Sequence, residues 1–93
     1  MELPAYYSEL TTQERRAVRE EYVRLQNGLC HYCGSTLNWS APKEITDKPI
    51  NWDLFPEGFL KYPTHLHHDH DTDLTLGAVH NYCNAVLWQY EGE

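Results

Sequence analysis

Basic residues are scarce in this chain of 93. Seven Lys and Arg stand against fourteen Asp and Glu, for a formal net charge of −7. Only one basic residue, Lys61, follows position 48. A broad basic footprint for gripping a polyanion is therefore excluded. Either the partner is not a polyanion, or binding is weak and divalent cations supply the missing positive charge. Cysteine is also sparse, and the three present cannot all pair, which argues against a secreted disulfide scaffold. No apolar run approaches the length that crosses a bilayer, so no membrane partner is expected. Met1-Glu2-Leu3-Pro4 lacks the charged and then apolar regions of a signal peptide. The expected location is cytoplasmic, with reduced thiols free to bind a metal. There is no internal repeat and no low-complexity segment. A chain of this size buries too little to hold a fold comfortably by apolar contact alone, and a staple is expected.

The pattern along residues 1–93 reads as a single α+β domain. Residues 1–10 form an arm, extended around Pro4. Thr11 with Glu14 three positions later is a capping box, opening a helix over 11–27 that ends at Asn27-Gly28. Val18, Tyr22 and Leu25 give its buried stripe. Arg15, Arg16 and Arg19 fall towards the other side. They are the densest basic cluster, either a solvated helix face or the best candidates for phosphate contact. Residues 38–63 carry Pro42, Pro49, Pro56 and Pro63, which forbid long regular elements. Trp39, Ile50, Trp52, Leu54, Phe55, Phe59 and Leu60 are too apolar for a disordered linker. This stretch reads as an ordered irregular insertion. Strands over 65–70 and 74–79, joined at Asp71-Thr72-Asp73, lead into a helix from Asn81 to Tyr90. That makes 65–90 a β-β-α unit.

Two ligand pairs stand at zinc-knuckle spacing, Cys30-x-x-Cys33 and His80-x-x-Cys83. Two intervening residues let one tight turn aim both side chains at a single tetrahedral ion. Thiolate and imidazole donors in a closed set favour a structural Zn²⁺. A lone C-x-x-C could be a redox pair, but the matching second pair makes redox the lesser reading. The 46 residues from 34 to 79 must loop out and return.

The most informative stretch is His65-Leu66-His67-His68-Asp69-His70-Asp71. Four histidines and two carboxylates in seven positions form either a metal-ligand or catalytic cluster or an incidental His-rich strand. Taken with Cys-x-x-Cys and Leu76-Gly77-Ala78-Val79-His80-Asn81-Tyr82-Cys83-Asn84, the chain resembles the zinc-containing HNH (ββα-metal) endonucleases. It is most similar to the small ones of phages and prophages, over about residues 15–93. The resemblance implies that Asp69 and Asn84 hold a catalytic Mg²⁺ or Mn²⁺, that His70 is the general base, and that cleavage leaves 5′-phosphate and 3′-hydroxyl ends. An imidazole with an ordinary pKa near ~6.5 suits that role. His68 shares a strand face with His70 and is a candidate to orient it or touch phosphate, alongside Arg15, Arg16 and Arg19. His67 shares the other face with Asp69 and is a candidate either to support a metal ligand by hydrogen bond or to bind the metal itself. The chain departs from the family pattern in three ways. His80 replaces a cysteine, Thr72 stands where relatives often carry histidine, and no histidine follows Asn84. Glu91 is the candidate substitute for that last ligand.

The expected function is a metal-dependent DNA endonuclease, nicking as a monomer or cutting both strands as a homodimer. The alternative is a non-catalytic zinc-binding module that grips DNA or a protein. A third possibility is a subunit that contacts phage DNA-packaging proteins, marked by an exposed patch of Trp52, Phe55 and Phe59. Lys43, Lys48 and Lys61 form the fallback basic surface.

Overall fold

The structure, a computed structural model, describes residues 1–92. Three helices, α1 (Thr12–Leu25), α2 (Lys43–Thr46) and α3 (Asn81–Glu91), surround one antiparallel pair, β1 (Thr64–His68) and β2 (Thr75–His80). Single 3-10 turns occur at Tyr7–Glu9 and Trp52–Leu54. The result is a small α+β domain. None of the described helices is long and apolar enough to cross a membrane.

The capping box forms as the sequence indicates. The Thr11 hydroxyl accepts from the Glu14 N–H at 3.1 Å, and the Glu14 carboxylate accepts from the Thr11 N–H at 2.9 Å. α1 ends because Asn27 and Gly28 both turn left-handed, with φ of 56° and 74°. Its inward face differs from the expected one. Val18 is buried and Tyr22 donates its hydroxyl to the Thr75 carbonyl at 3.2 Å, but Leu25 is 54% exposed. Arg15 and Arg19, expected on the outer side, are half-buried on the face that carries Val18 and Tyr22. Positions 15, 18, 19 and 22 share one side of a helix, and long arginine stems can lie along apolar surface.

Strand β2 lacks a second strand on its outer edge, and other groups cover it. Along its first half runs the N-terminal arm, with Thr75 N–H donating to the Ala5 carbonyl at 2.8 Å and Tyr7 N–H to the Asp73 carbonyl at 2.8 Å. Along its second half the Gln26 amide imitates a strand, accepting from Ala78 N–H and donating to Ala78 C=O, both at 2.9 Å. The His31 N–H also donates to the Ala78 carbonyl at 3.0 Å. Pairing these groups removes an edge that would otherwise recruit other chains.

The strands are shorter at the turn than the sequence suggests, and the turn spans 69–73. The Asp69 carboxylate accepts from the backbone N–H groups of Asp71 and Thr72 at 2.7 and 3.1 Å. Asp73 adopts φ of 67° and donates its N–H to the Asp69 carbonyl at 2.8 Å. An aspartate that folds its own turn in this way competes with the ladder. Pairing is also irregular just before it, since His67 faces Gly77 but His68 faces Thr75, leaving Leu76 as a bulge.

The insertion is ordered, as expected, and is fixed to α3 by polar contacts. The Asn81 amide donates to the Leu60 and Tyr62 carbonyls at 3.3 and 3.1 Å. Gln89 accepts from the Asn51 N–H at 2.9 Å and donates to the Pro49 carbonyl at 3.1 Å. The core joins Leu37, Ala41 and Ile45 from this side to Val79, Val86 and Leu87, with Cys30 and Cys83 among them.

Gly77 sits where Gln26 and His31 cross β2. A Cβ there would meet Gln26 Oε1 and His31 Cγ, each at 2.8 Å. Gln26 is held by three hydrogen bonds and cannot yield freely. Gly77→Ala should therefore destabilise the domain by ~1–3 kcal/mol, as overpacking does. An unchanged denaturation midpoint would show that the crossing is looser than described.

Candidate metal centre and histidine cavity

The knuckle begins as a small hairpin, with Cys30 N–H donating to Ser35 C=O at 2.7 Å and Gly34 N–H to Cys30 C=O at 3.0 Å. Gly34, at φ of 79°, makes the reversal that turns both thiols inward. His80 closes β2 and caps α3, so Cys83 lies one turn into that helix. The four ligand atoms of Cys30, Cys33, His80 and Cys83 all lie within 4.8 Å of one another. Cys30, His80 and Cys83 are buried.

The imidazole shows how the set is aimed. His80 Nδ1 faces Cys33 Sγ at 3.4 Å and Cys83 Sγ at 3.6 Å, while Nε2 lies 2.9 Å from the Thr36 carbonyl. A carbonyl can only accept, so Nε2 carries the proton and Nδ1 keeps its lone pair for the cluster. Tetrahedral zinc, with bonds of about 2.3 Å to sulfur and 2.0 Å to nitrogen, would space N and S about 3.5 Å apart. The tetrad can therefore hold a structural zinc. Without a cation, three crowded sulfurs cannot all ionise. The hydrogen bond from Cys83 lowers Cys30 to about 4, and the same contact together with burial pushes Cys83 up. A divalent ion would remove that conflict.

A cavity of about 550 Å³ lies between α1, β1, α3 and the insertion. It is lined by His65, His67, His68, His70, Asn84, Arg15 and Arg19, together with an aromatic wall that includes Phe55, Phe59 and Trp88. Among the described residues, no Asp or Glu lines it. In a chain with twice as many acidic as basic residues, this is a selective clearing of negative charge.

Each imidazole has its own setting. His65 Nδ1 lies 3.1 Å from the Asn84 amide nitrogen, and the Phe59 ring meets it edge-on at 4.7 Å. Burial, then the Arg19 charge, pulls its pKa down, so it accepts from Asn84 as a neutral ring. His67 is buried. His68 is stacked between Tyr7, at 3.8 Å and 6° between planes, and His70, at 4.6 Å. The Arg15 guanidinium lies 3.9 Å over the other face of that column, at Tyr7, and donates to the Tyr7 carbonyl at 3.1 and 3.2 Å. Burial, then the neighbouring His70, lowers the His68 pKa.

The expected site residues divide into two groups. Arg15, Arg19, His67, His68, His70 and Asn84 come together at the cavity. Arg16 does not, and pairs with Glu20 at 3.3 Å on the surface. Asp69 does not line the cavity either. The backbone N–H groups of Thr72 and Asp71 donate to its carboxylate and hold its pKa below the usual range. Glu91, at the end of α3, lies beside Tyr32, whose pKa rises from burial and then from that carboxylate. Among the described residues, the Cys30–Cys33–His80–Cys83 set is the single convergent cluster of three or more such ligands. The sequence assigns no pairing of Tyr7 with His68 and no role to Trp88, and it places Phe55 and Phe59 in an exposed patch where the structure puts them in a cavity wall. The arm that carries Tyr7 lacks periodicity, and only its pairing with β2 brings it to His68.

No protein-family model, curated protein or solved structure matches the chain.

Protein purified without added zinc should contain about one equivalent, as one four-ligand site requires. Cys83→Ala should lose the metal and the fold together. Acidification should release zinc and unfold the domain in one transition, because the ligating thiolates must be deprotonated. A folded, metal-free Cys83→Ala protein would contradict the staple.

Proposed function

We propose that the chain is a nucleic-acid endonuclease, hydrolysing phosphodiester bonds of DNA at the histidine cavity on a zinc-stapled scaffold of the HNH kind. One observation carries the reading. The cavity gathers four histidines, two arginines and an asparagine, yet no Asp or Glu among the described residues lines it. Such a lining selects an anionic substrate, and imidazoles at its mouth provide acid–base chemistry. The β-β-α order and the Cys₃His tetrad are consistent with the HNH resemblance.

In this reading Arg15 and Arg19 receive the phosphate. A water molecule attacks phosphorus and gives its proton to an imidazole. The bond to the leaving oxygen breaks, and that oxygen takes a proton from solvent. The resemblance assigns the base to His70, which is exposed at the turn. His68 lies deeper, and its lowered pKa leaves it unprotonated at neutral pH. The geometry therefore favours His68 as the base, with His70 stacked against it.

The catalytic Mg²⁺ or Mn²⁺ that the resemblance implies finds no matching donor set here. Such ions want several hard oxygens, usually with a carboxylate. Asp69 is engaged in its turn, Glu91 lies at the other end of α3, and the cavity around Asn84 offers imidazoles. No step of the reading runs through that ion.

Zinc-loaded protein should cleave DNA, assayed with Mg²⁺, with Mn²⁺ and with neither. His68→Ala should reduce the rate roughly 100-fold or more, as loss of a general base does, with zinc content unchanged. The acidic limb of the rate should fall below the ordinary imidazole value of 6.5, because the His68 pKa is lowered. A His68→Ala protein that cleaves at the parent rate would refute this assignment. DNA binding without cleavage under every ion condition would favour the non-catalytic binding module.

A further inference from the structure

We infer that the cavity takes a single strand, seating one unstacked base against the aromatic wall while its phosphate meets Arg15 and Arg19. The inference rests on the nucleic-acid reading of the same cavity and specifies the form of the substrate. The wall and the cations are separate parts of one cavity. Phe55 contacts Phe59 at 4.7 Å and Trp88 at 5.0 Å between ring centres, whereas the arginines project from α1. Trp88 remains 39% exposed and Tyr62, also lining the cavity, 62% exposed. An apolar ring surface beside a cationic end complements a nucleotide, which carries a flat base and an anion. The cavity's 550 Å³ falls within the range of pockets that enclose small ligands.

Charge argues for the single strand over a duplex. A duplex keeps its bases stacked away from such a wall and presents phosphates continuously along a rigid surface. It would bring that surface against a protein of net charge −7 outside the cavity. A flexible strand can enter with one nucleotide and leave the acidic surface untouched. Base stacking on aromatic side chains then supplies affinity that few basic residues could.

The test separates binding from cleavage by using full-length, zinc-loaded His68→Ala protein. Its probe is a twelve-nucleotide DNA strand carrying 2-aminopurine, alone or annealed to its complement. The single strand should bind at least about tenfold more tightly, with its fluorescence quenched by stacking. Trp88→Ala and Tyr62→Ala, both at exposed rings, should each weaken it by roughly tenfold, the usual effect of losing one stacking partner. Equal affinity for the duplex, or no quenching on binding, overturns the inference even if the parent enzyme cleaves DNA. Tight, quenched single-strand binding by a protein that never cleaves upholds the inference and defeats the catalytic reading instead.

Discussion

The convergence of Cys30, Cys33, His80 and Cys83 is the constraint on which the rest of the molecule depends. His80 is both the last residue of β2 and the cap of α3. Fixing its ring therefore fixes the angle at which the helix leaves the strand. The same closure holds the knuckle against β2, where Gln26 and His31 complete the edge at Ala78. A sheet of two strands is marginal in water unless something packs on it and covers its edges. A metal held by this cluster would do much of what a larger apolar core does.

A second consequence concerns charge. Several acidic residues are engaged in local tasks outside the cavity lining. Glu14 caps α1, Asp69 folds the turn, and Asp73 accepts from the Ser8 hydroxyl at 2.6 Å, pinning the arm. Glu20 and Glu21 pair with Arg16 and Arg24 along the exposed side of α1. Arg15 and Arg19 line the cavity with the histidines, and the Asp73 carboxylate acts on both Arg15 and His68 from outside that lining. Net charge describes the whole surface, while the cavity's local balance determines what it attracts.

The sequence made several features legible because each depends on local spacing. These are the capping box at Thr11 and Glu14, the two ligand pairs, the insertion's order and the β-β-α succession. What it hid depends on contacts between distant segments. Apolar periodicity placed Leu25 inward and the arginines outward, since it cannot anticipate Arg15 lying over Tyr7. The arm's pairing with β2 has no periodic signal, so the Tyr7 stack on His68 could not be read. Asp69 is implied to be a metal ligand by the family resemblance alone. Its two backbone hydrogen bonds reflect the preference of aspartate for turns, a signal that the Asp-rich run 69–73 did carry.

Closing the metal cluster should assemble the histidine cavity, because His80 sets how α3 leaves β2 and α3 supplies Asn84 and Trp88 to the lining. Titrating zinc into the metal-free chain, while following the His68 ring protons by NMR, tests it directly. Stacked on Tyr7 at 3.8 Å, those protons should move to ring-current-shifted positions in proportion to zinc and stop at about one equivalent. If the shifted His68 signals are already present in the zinc-free protein, the cavity forms without the staple and the account is wrong.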